Sequence, residues 1–225
     1  GPLRGGLMLL LAVLAAVAAM AQTTPPIVVA DNTKVIQRQL KLLRSSMDRL
    51  ETRKDAAATL LDLQDPASKE PALDPAAKGP LLKILQDPTD KQARLAVIEA
   101  LAERDGSIPD FTEPLMQVLL ACDPDLQPAV LSALSLYRTP KLTEQLLSLA
   151  QDSKRTIPQR LAAVHALGRM LPEAAAGPLF RMMEAATAAQ GERCELAVAC
   201  ANSLRELTHM DLGTNLAAWK AWWAK

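Results

Sequence analysis

Apolar residues recur with helical spacing along the second part of the chain, in two phrases that repeat. The first phrase ends in a small residue followed by leucine. Its four copies, spaced 33, 33 and 37 residues apart, end at Ala100-Leu101, Ala133-Leu134, Ala166-Leu167 and Ser203-Leu204. A second apolar phrase precedes each copy and begins at Gly79, Glu113, Glu144 and Gly177. Two phrases that repeat at nearly the same interval indicate repeated pairs of helices, because such pairs bury their apolar faces by stacking on one another.

Composition favours helices over strands. The chain has 225 residues, of which 49% are hydrophobic but only 3% aromatic. Alanine and leucine, which are strong helix formers, dominate over the β-branched and aromatic residues that strands prefer. We therefore expect an all-α protein. Its 25 basic and 25 acidic residues cancel, which argues against a dedicated nucleic-acid binder.

Residues 1–21 have the pattern of a secretory signal peptide. Arg4 precedes an apolar run that begins at Leu7, and Ala19-Met20-Ala21 forms a cleavage site. This pattern predicts cleavage after Ala21 and a periplasmic or secreted protein. The apolar run is shorter than the roughly 20 residues of a membrane-spanning helix, so an uncleaved N-terminal anchor is the alternative. Residues 22–32 contain two prolines and are expected to form an extended tether.

The spacing of apolar residues predicts an amphipathic helix over residues 33–64. Steps of four and three residues define its stripe, which consists of Ile36, Leu40, Leu43, Met47 and Leu50. The stripe is expected to pack on the first repeat as a cap, or to bind a partner. The polar side is basic, and its first cations are Lys34, Arg38, Lys41 and Arg44. Such a face is suited to an acidic partner or to lipid headgroups, although it is more often simply solvated.

Prolines are expected to mark the boundaries of the remaining elements. Residues 65–78 form a proline-rich linker before the repeats, which span residues 79–208. Pro80, Pro140, Pro172 and Pro178 are expected at helix starts, where the missing amide proton has no intrahelical partner. Residues 209–225 are predicted to form a C-terminal capping helix that carries all three tryptophans. The alternative is an exposed patch for a ligand such as a glycan, formed by Trp219 and Trp223 on one helix face.

The phrase RLAAVHALGRM at residues 160–170, together with its three relatives, resembles the HEAT repeat. The C-terminal segment around Gly213 and the tryptophans is similar to the tail of secreted bacterial HEAT-like proteins of the planctomycete type. The resemblance implies a right-handed α-solenoid of about four helical pairs, with the second helix of each pair lining a concave surface. It further implies a non-catalytic scaffold for protein partners. In that family the second helix carries a basic residue that ties neighbouring repeats; Arg94 and Arg160 match it, whereas Gln127 and Ala197 do not.

The repeat register places a row of polar residues on that surface. The equivalent positions just before each small-leucine doublet are Glu99, Ser132, His165 and Asn202. The residues one turn further on are Glu103, Arg169 and Glu206, and the only tyrosine, Tyr137, is near them. We expect these eight side chains to face away from the core and to bind a protein partner.

Residue types suited to catalysis or metal binding are few. The two histidines are far apart, and neither they nor the three cysteines have the spacing of metal ligands. Cys200 falls at a repeat position held elsewhere by valine or alanine, so we expect it to be buried, and Cys122 is a weak candidate for a reactive thiol. We expect no metal, no cofactor and no enzymatic activity. HEAT-like chromophore lyases supply an enzymatic alternative by resemblance alone.

Overall fold

A computed structural model describes residues 32–191 and 193–224. Within these residues the protein consists of eleven α-helices and contains no strand, which confirms the all-α prediction. In chain order the helices are α1 (Thr33–Leu43), α2 (Leu50–Asp62), α3 (Pro75–Gln86), α4 (Lys91–Ala102), α5 (Thr112–Leu120), α6 (Gln127–Leu134), α7 (Pro140–Gln151), α8 (Ile157–Leu167), α9 (Pro172–Gln190), α10 (Glu195–Thr208) and α11 (Leu216–Trp223). The predicted signal peptide and nearly all of the predicted tether lie outside the described residues. None of the helices in the described ranges is both long and apolar enough to cross a membrane.

Consecutive helices pack as pairs, and the pairs contact one another in order. Each of the odd-numbered helices α1 to α9 packs against the even-numbered helix that follows it. The even-numbered helices α2, α4, α6, α8 and α10 also contact each other successively. Buried apolar side chains form one continuous cluster that extends from Ile36 in α1 to Trp219 in α11.

The repeated small-leucine doublets lie at the contacts between even-numbered helices. All eight of their residues are buried. A small residue at this place lets two helix backbones approach closely. The closest approach involves Gly168, which follows α8: a Cβ atom there would lie 3.0 Å from the Cα of Ser203 in α10. The Ser203 hydroxyl donates a hydrogen bond of 2.8 Å to the Val164 carbonyl and so ties α10 to α8.

The prediction of one continuous helix over residues 33–64 is wrong. The structure has two helices there, α1 and α2, which pack against each other and are joined by residues 44–49. Met47, a member of the predicted stripe, lies in this connection and is 92% exposed. A straight helix of that length would extend about 48 Å, whereas α3 and α4, with 12 residues each, extend only about 18 Å. Folding back therefore covers an apolar stripe that a straight helix would leave partly in water.

The segment expected to be a linker is held to its neighbours by hydrogen bonds. Asp65 N donates to the Ala72 carbonyl at 2.8 Å, and Asp74 N donates to the Leu63 carbonyl at 2.9 Å. The Asn32 side-chain amide, from the start of α1, donates to an Asp74 carboxylate oxygen at 2.8 Å. Asp74 also accepts from Ala76 N and caps α3, which begins at Pro75, inside the range assigned to the linker.

Two prolines lie inside helices rather than at their starts. Pro140 and Pro172 begin α7 and α9 as predicted, but Pro80 lies within α3 and Pro178 within α9. Each of these two prolines follows a glycine. A glycine has no Cβ to clash with the following proline ring, which lowers the usual cost of helical backbone before proline. The helices consequently begin earlier than the repeat phrases do.

The tryptophans close the C-terminal end of the core. Trp219 is completely buried, and its indole N–H donates a hydrogen bond of 2.8 Å to the Gly213 carbonyl. Trp223 is 47% exposed, and its ring centroid lies 6.0 Å from that of Phe180 in α9. Because Trp219 has no exposed surface, the proposed ligand patch of Trp219 and Trp223 is wrong.

Candidate partner-binding surface

The polar row predicted from the repeats runs across four even-numbered helices. Glu99, Ser132, His165 and Asn202 lie in the later turns of α4, α6, α8 and α10, respectively, and all four are partly exposed. Three further residues extend the row: Glu103 and Arg169 follow α4 and α8, and Glu206 lies in α10. Since α4, α6, α8 and α10 contact each other in that order, these positions follow one another along one side of the protein.

Three members of the row join neighbouring helices through their side chains. Arg169 Nη1 donates a hydrogen bond to the Ser132 hydroxyl at 3.5 Å, and Arg169 Nε lies 3.8 Å from a Glu206 carboxylate oxygen. One guanidinium therefore lies between α6 and α10. Ion pairs that are this exposed add little stability. Their main effect here is to orient the side chains on the surface.

Three other members of the row have unfilled hydrogen-bonding capacity. The side chains of Glu99, His165 and Asn202 make no hydrogen bond or ion pair with any described residue. Burial lowers the pKa of His165; the Glu206 carboxylate opposes this effect, and the Arg169 guanidinium adds to it. The ring is therefore neutral at pH 7, and a neutral imidazole offers one donor and one acceptor. These groups are available to a partner that lies across the row.

Tyr137 does not belong to this surface. It is 4% exposed, and its hydroxyl accepts a hydrogen bond of 3.4 Å from the Ile108 backbone N–H. Burial raises its pKa to about 12. Its proximity in sequence to the row suggested a surface role, but the aromatic ring fills the core beneath the row. The prediction that Tyr137 contacts a partner is wrong.

The N-terminal end of the row contains a further lysine, Lys54, which the repeat register does not place there. Lys54 in α2 lies 3.1 Å from a Glu103 carboxylate oxygen and 3.0 Å from Glu51. Its hydrogen bonds, to Glu51 first and then to Glu103, raise the pKa of the ammonium group. Glu51 and Lys54 are three residues apart on α2, a spacing at which helix side chains form local ion pairs. The packing of α2 against α4 brings Lys54 to Glu103.

The arginines that match the family pattern tie the two helices of one pair. Arg94 Nε in α4 donates to the Leu85 carbonyl of α3 at 3.0 Å, and Arg160 Nε in α8 donates to the Ala150 carbonyl of α7 at 2.8 Å. The resemblance implied a tie between neighbouring repeats instead, and this expectation is wrong for both residues. Arg53 occupies the same place in α2 but reaches the next pair, where its Nη1 lies 3.1 Å from Asp90, the residue that caps α4.

Three of the four cations predicted for the basic helix lie on one face of α1, and the fourth, Arg44, directly follows this helix. Lys34, Arg38, Lys41 and Arg44 are all exposed, on the side of the helix away from the buried Ile36 and Leu43. None of the four forms an ion pair with a described residue. We call them the basic face. Val35 beside them is 40% exposed.

Cys200 and Cys122 are poor nucleophiles in this structure. Cys200 is fully buried, as predicted, and burial raises its pKa to about 12. Burial also raises the pKa of Cys122, whose thiol donates to the Leu120 carbonyl at 3.5 Å. A thiol with a raised pKa forms little of the reactive thiolate at neutral pH. Among the described residues, no three His, Cys, Asp or Glu side chains are grouped so as to hold a metal ion.

The candidate site thus consists of two surfaces, the polar row and the basic face. Comparison of the chain with models of protein families, with curated proteins and with solved structures finds no match.

Proposed function

We propose that the chain is a HEAT-like, right-handed α-solenoid that acts as a non-catalytic scaffold for a protein partner in the periplasmic or extracellular space. The contacts among successive helices support this architecture, since each pair covers the apolar face of the next. The four pairs inferred from the repeats are α3–α4 to α9–α10. The pair α1–α2, which packs in the same way, adds a fifth.

The polar row carries the proposal. Arg169 holds the side chains of Ser132 and Glu206 in orientation. The partly exposed side chains of Glu99, His165 and Asn202 are free to form further hydrogen bonds with a partner. Helices pack about 8 to 10 Å apart, so a row across four helices extends about 30 Å. An extended segment of about nine residues spans that distance. The partner on this proposal is a protein segment with both acidic and basic groups, because the row itself carries both.

Site-specific photocrosslinking tests the scaffold role. A photoreactive phenylalanine analogue at position 99 or 202 should capture the same protein in cells that naturally produce this chain. The same probe at Gln145, an exposed residue of α7, should not capture it. Replacing Glu206 with lysine should reduce the capture at position 202, since Glu206 holds Arg169 in place. Equal capture at all three positions, or capture unaffected by the lysine, would count against the row as the binding surface.

A second candidate function, contact with an anionic membrane surface, rests on the basic face. Four exposed cations without described ion-pair partners lie on the first described helix, next to the predicted N-terminal anchor or signal peptide. A Lys or Arg near an anionic bilayer contributes about 1 kcal/mol to its binding. An uncleaved N-terminus would place this face at the bilayer. On this alternative the protein is a membrane-associated subunit of an envelope complex.

Vesicle flotation and the mass of the mature chain test the membrane role. Phosphatidylglycerol vesicles should retain the protein, and the double change Lys34→Glu and Arg38→Glu should reduce retention by about tenfold or more. The control is Lys141→Glu with Lys154→Glu, which reverses two exposed charges elsewhere and should leave retention nearly unchanged. Equal losses in both variants would indicate non-specific attraction. A mature chain that begins near Gln22 would exclude the N-terminal anchor.

A further inference from the structure

A cleft of about 630 Å³ opens between the ends of four helices, away from the polar row. It lies where α7 and α9 end and where α8 and α10 begin. Its apolar lining includes Ile157, Met182, Ala189 and Leu196. Its charged lining consists of the basic Arg160 and Arg193 and the acidic Glu195. The row lies toward the other ends of α8 and α10, so the cleft is a separate feature.

At the equivalent place near the start of α4, ion pairs between side chains close the gap between the helices. By the repeat register, Lys91 at the start of α4 is equivalent to Ile157, and Asp123 is equivalent to Arg193. Lys91 Nζ lies 2.9 Å from an Asp123 carboxylate oxygen and also binds Asp125, which joins α4 to the connection between α5 and α6. Isoleucine and arginine cannot form that ion pair. The cleft is therefore open where the equivalent place is bridged.

The length of α9 deepens the cleft. This helix has 19 residues, whereas the equivalent α5 has nine. Its last turns supply Ala185, Ala186 and Ala189, which form an apolar wall of small side chains. Small side chains leave volume that larger ones would fill.

Arg160 brings a positive charge into the cleft and forms an ion pair with no described residue, Glu195 of the lining included. Its Nε donates to the Ala150 carbonyl, and its two terminal nitrogens have no hydrogen bond or ion pair with a described residue. The equivalent Arg94 acts electrostatically on Asp87 and Asp123. Asp152, which corresponds to Asp87, lies 3.6 Å from Arg155 instead. A guanidinium with free parallel N–H groups matches the geometry of a carboxylate.

We propose that this cleft binds a small amphipathic carboxylate. The apolar body lies against Ile157, Met182 and Ala189, and the carboxylate accepts hydrogen bonds from the terminal nitrogens of Arg160, with Arg193 at the rim. The volume falls within the range of about 300 to 1,000 Å³ that is usual for small-molecule sites. The combination of an apolar lining with a few convergent polar groups is also usual for them.

Calorimetric titration of the purified full chain with three eight-carbon probes tests the head group. Octanoate should saturate one site per chain and bind about tenfold tighter, or more, than either 1-octanol or octyltrimethylammonium. The three probes share one apolar chain and differ in charge. Equal affinity for all three, or no saturable binding of octanoate at millimolar concentration, would overturn the proposal.

Three variants test the location. Ala189→Trp fills the cleft from an exposed position, and Arg160→Gln keeps a donor for the Ala150 carbonyl but removes the charge. Both should weaken octanoate binding by about tenfold or more. Arg94→Gln, the matched change in the earlier pair, should leave it unchanged. If Arg160→Gln does not fold, Ala189→Trp still decides the matter, because unchanged binding in that variant would show that octanoate binds elsewhere.

Discussion

His165 is partly buried in the polar row, yet its ring is bonded to none of the described residues. Burial favours its neutral form, and the charges of Glu206 and Arg169 act on it in opposite directions. The side chain contributes little to packing, because it lies at the surface edge of α8. Its main physical role in the free protein is therefore electrostatic, and it is sensitive to pH.

We predict that His165 makes stability depend on pH in mildly acidic solution. Its pKa in the folded state lies below the ordinary value of about 6.5. The neutral ring's contribution is therefore fully present above about pH 6.5 and is lost as the pH falls below that value, because the unfolded chain binds the proton more tightly. His165→Gln should show a smaller decrease in the free energy of unfolding below about pH 6.5, measured by urea denaturation.

The control for His165 is the other histidine. His209 is exposed and has a positive φ of 58°, a conformation that asparagine tolerates. His209→Asn removes the other histidine and leaves position 165 unchanged, and His165→Ala should change stability at pH 7 by no more than about 0.5 kcal/mol. If the free energy of unfolding of His165→Gln depends on pH as it does in the unchanged protein, then the His165 ring has the same pKa in the folded and unfolded states.

Single positions were predictable where the repeat register fixes them. The small-leucine doublets and Cys200 are buried because every copy of the phrase presents the same face to the neighbouring helix. Lys54 was not predictable in this way, since its partner Glu103 is 49 residues away and belongs to another pair. Long side chains meet across helices according to the packing of the backbone, which the pattern along one helix does not contain.

At the scale of the element, helix ends were the least predictable feature. The stripe from Ile36 to Leu50 has the same spacing on both sides of the break, so the pattern along the chain gives no sign that α1 ends at Leu43. The break follows from the short length of the helices against which α1 and α2 pack. The starts of α3 and α9 were also mispredicted, since these helices begin at Pro75 and Pro172, before Pro80 and Pro178.

We predict that Trp219 makes the largest contribution to holding α11 on the protein. Trp219→Ala should lower the free energy of unfolding by about 3 to 5 kcal/mol, since it leaves a cavity and removes the bond to the Gly213 carbonyl. Trp223→Ala should cost about 1 kcal/mol or less because that ring is half exposed. Urea denaturation measures both variants.

Proteolysis distinguishes loss of α11 from general destabilisation. Trypsin should cleave after Lys220 faster in Trp219→Ala than in Trp223→Ala, because release of the helix separates Lys220 from Glu184, which lies 2.6 Å away. Similar cleavage rates in the two variants would mean that other contacts hold the helix.

At the scale of the whole molecule, one apolar cluster connects the first described helix to the last. The even-numbered helices carry most of the contacts between pairs, and α8 lies between α6 and α10. A charge buried in α8 therefore affects its own pair and both neighbours. The all-α class was predictable from the repeats, because each copy carries the same helical periodicity.

We predict that Leu167→Asp abolishes folding of the C-terminal pairs. The side chain is fully buried, and an unpaired carboxylate there costs more than about 4 kcal/mol, which is a large fraction of the stability of a domain. Circular dichroism should show a large loss of helix at 25 °C. The matched control is Val198→Asp in α10, which introduces the same charge at a 40% exposed position and should keep the helical signal.

The order in which the helices contact one another bears on how fast the chain folds. The main contacts join helices that are at most three positions apart in the order of helices along the chain. Contacts between residues close in sequence require little loop-closure entropy, and proteins rich in them fold in microseconds to milliseconds. Each pair is thus able to form as soon as its own residues and those of the preceding pair are present, so the growing chain exposes the apolar face of only one pair at a time.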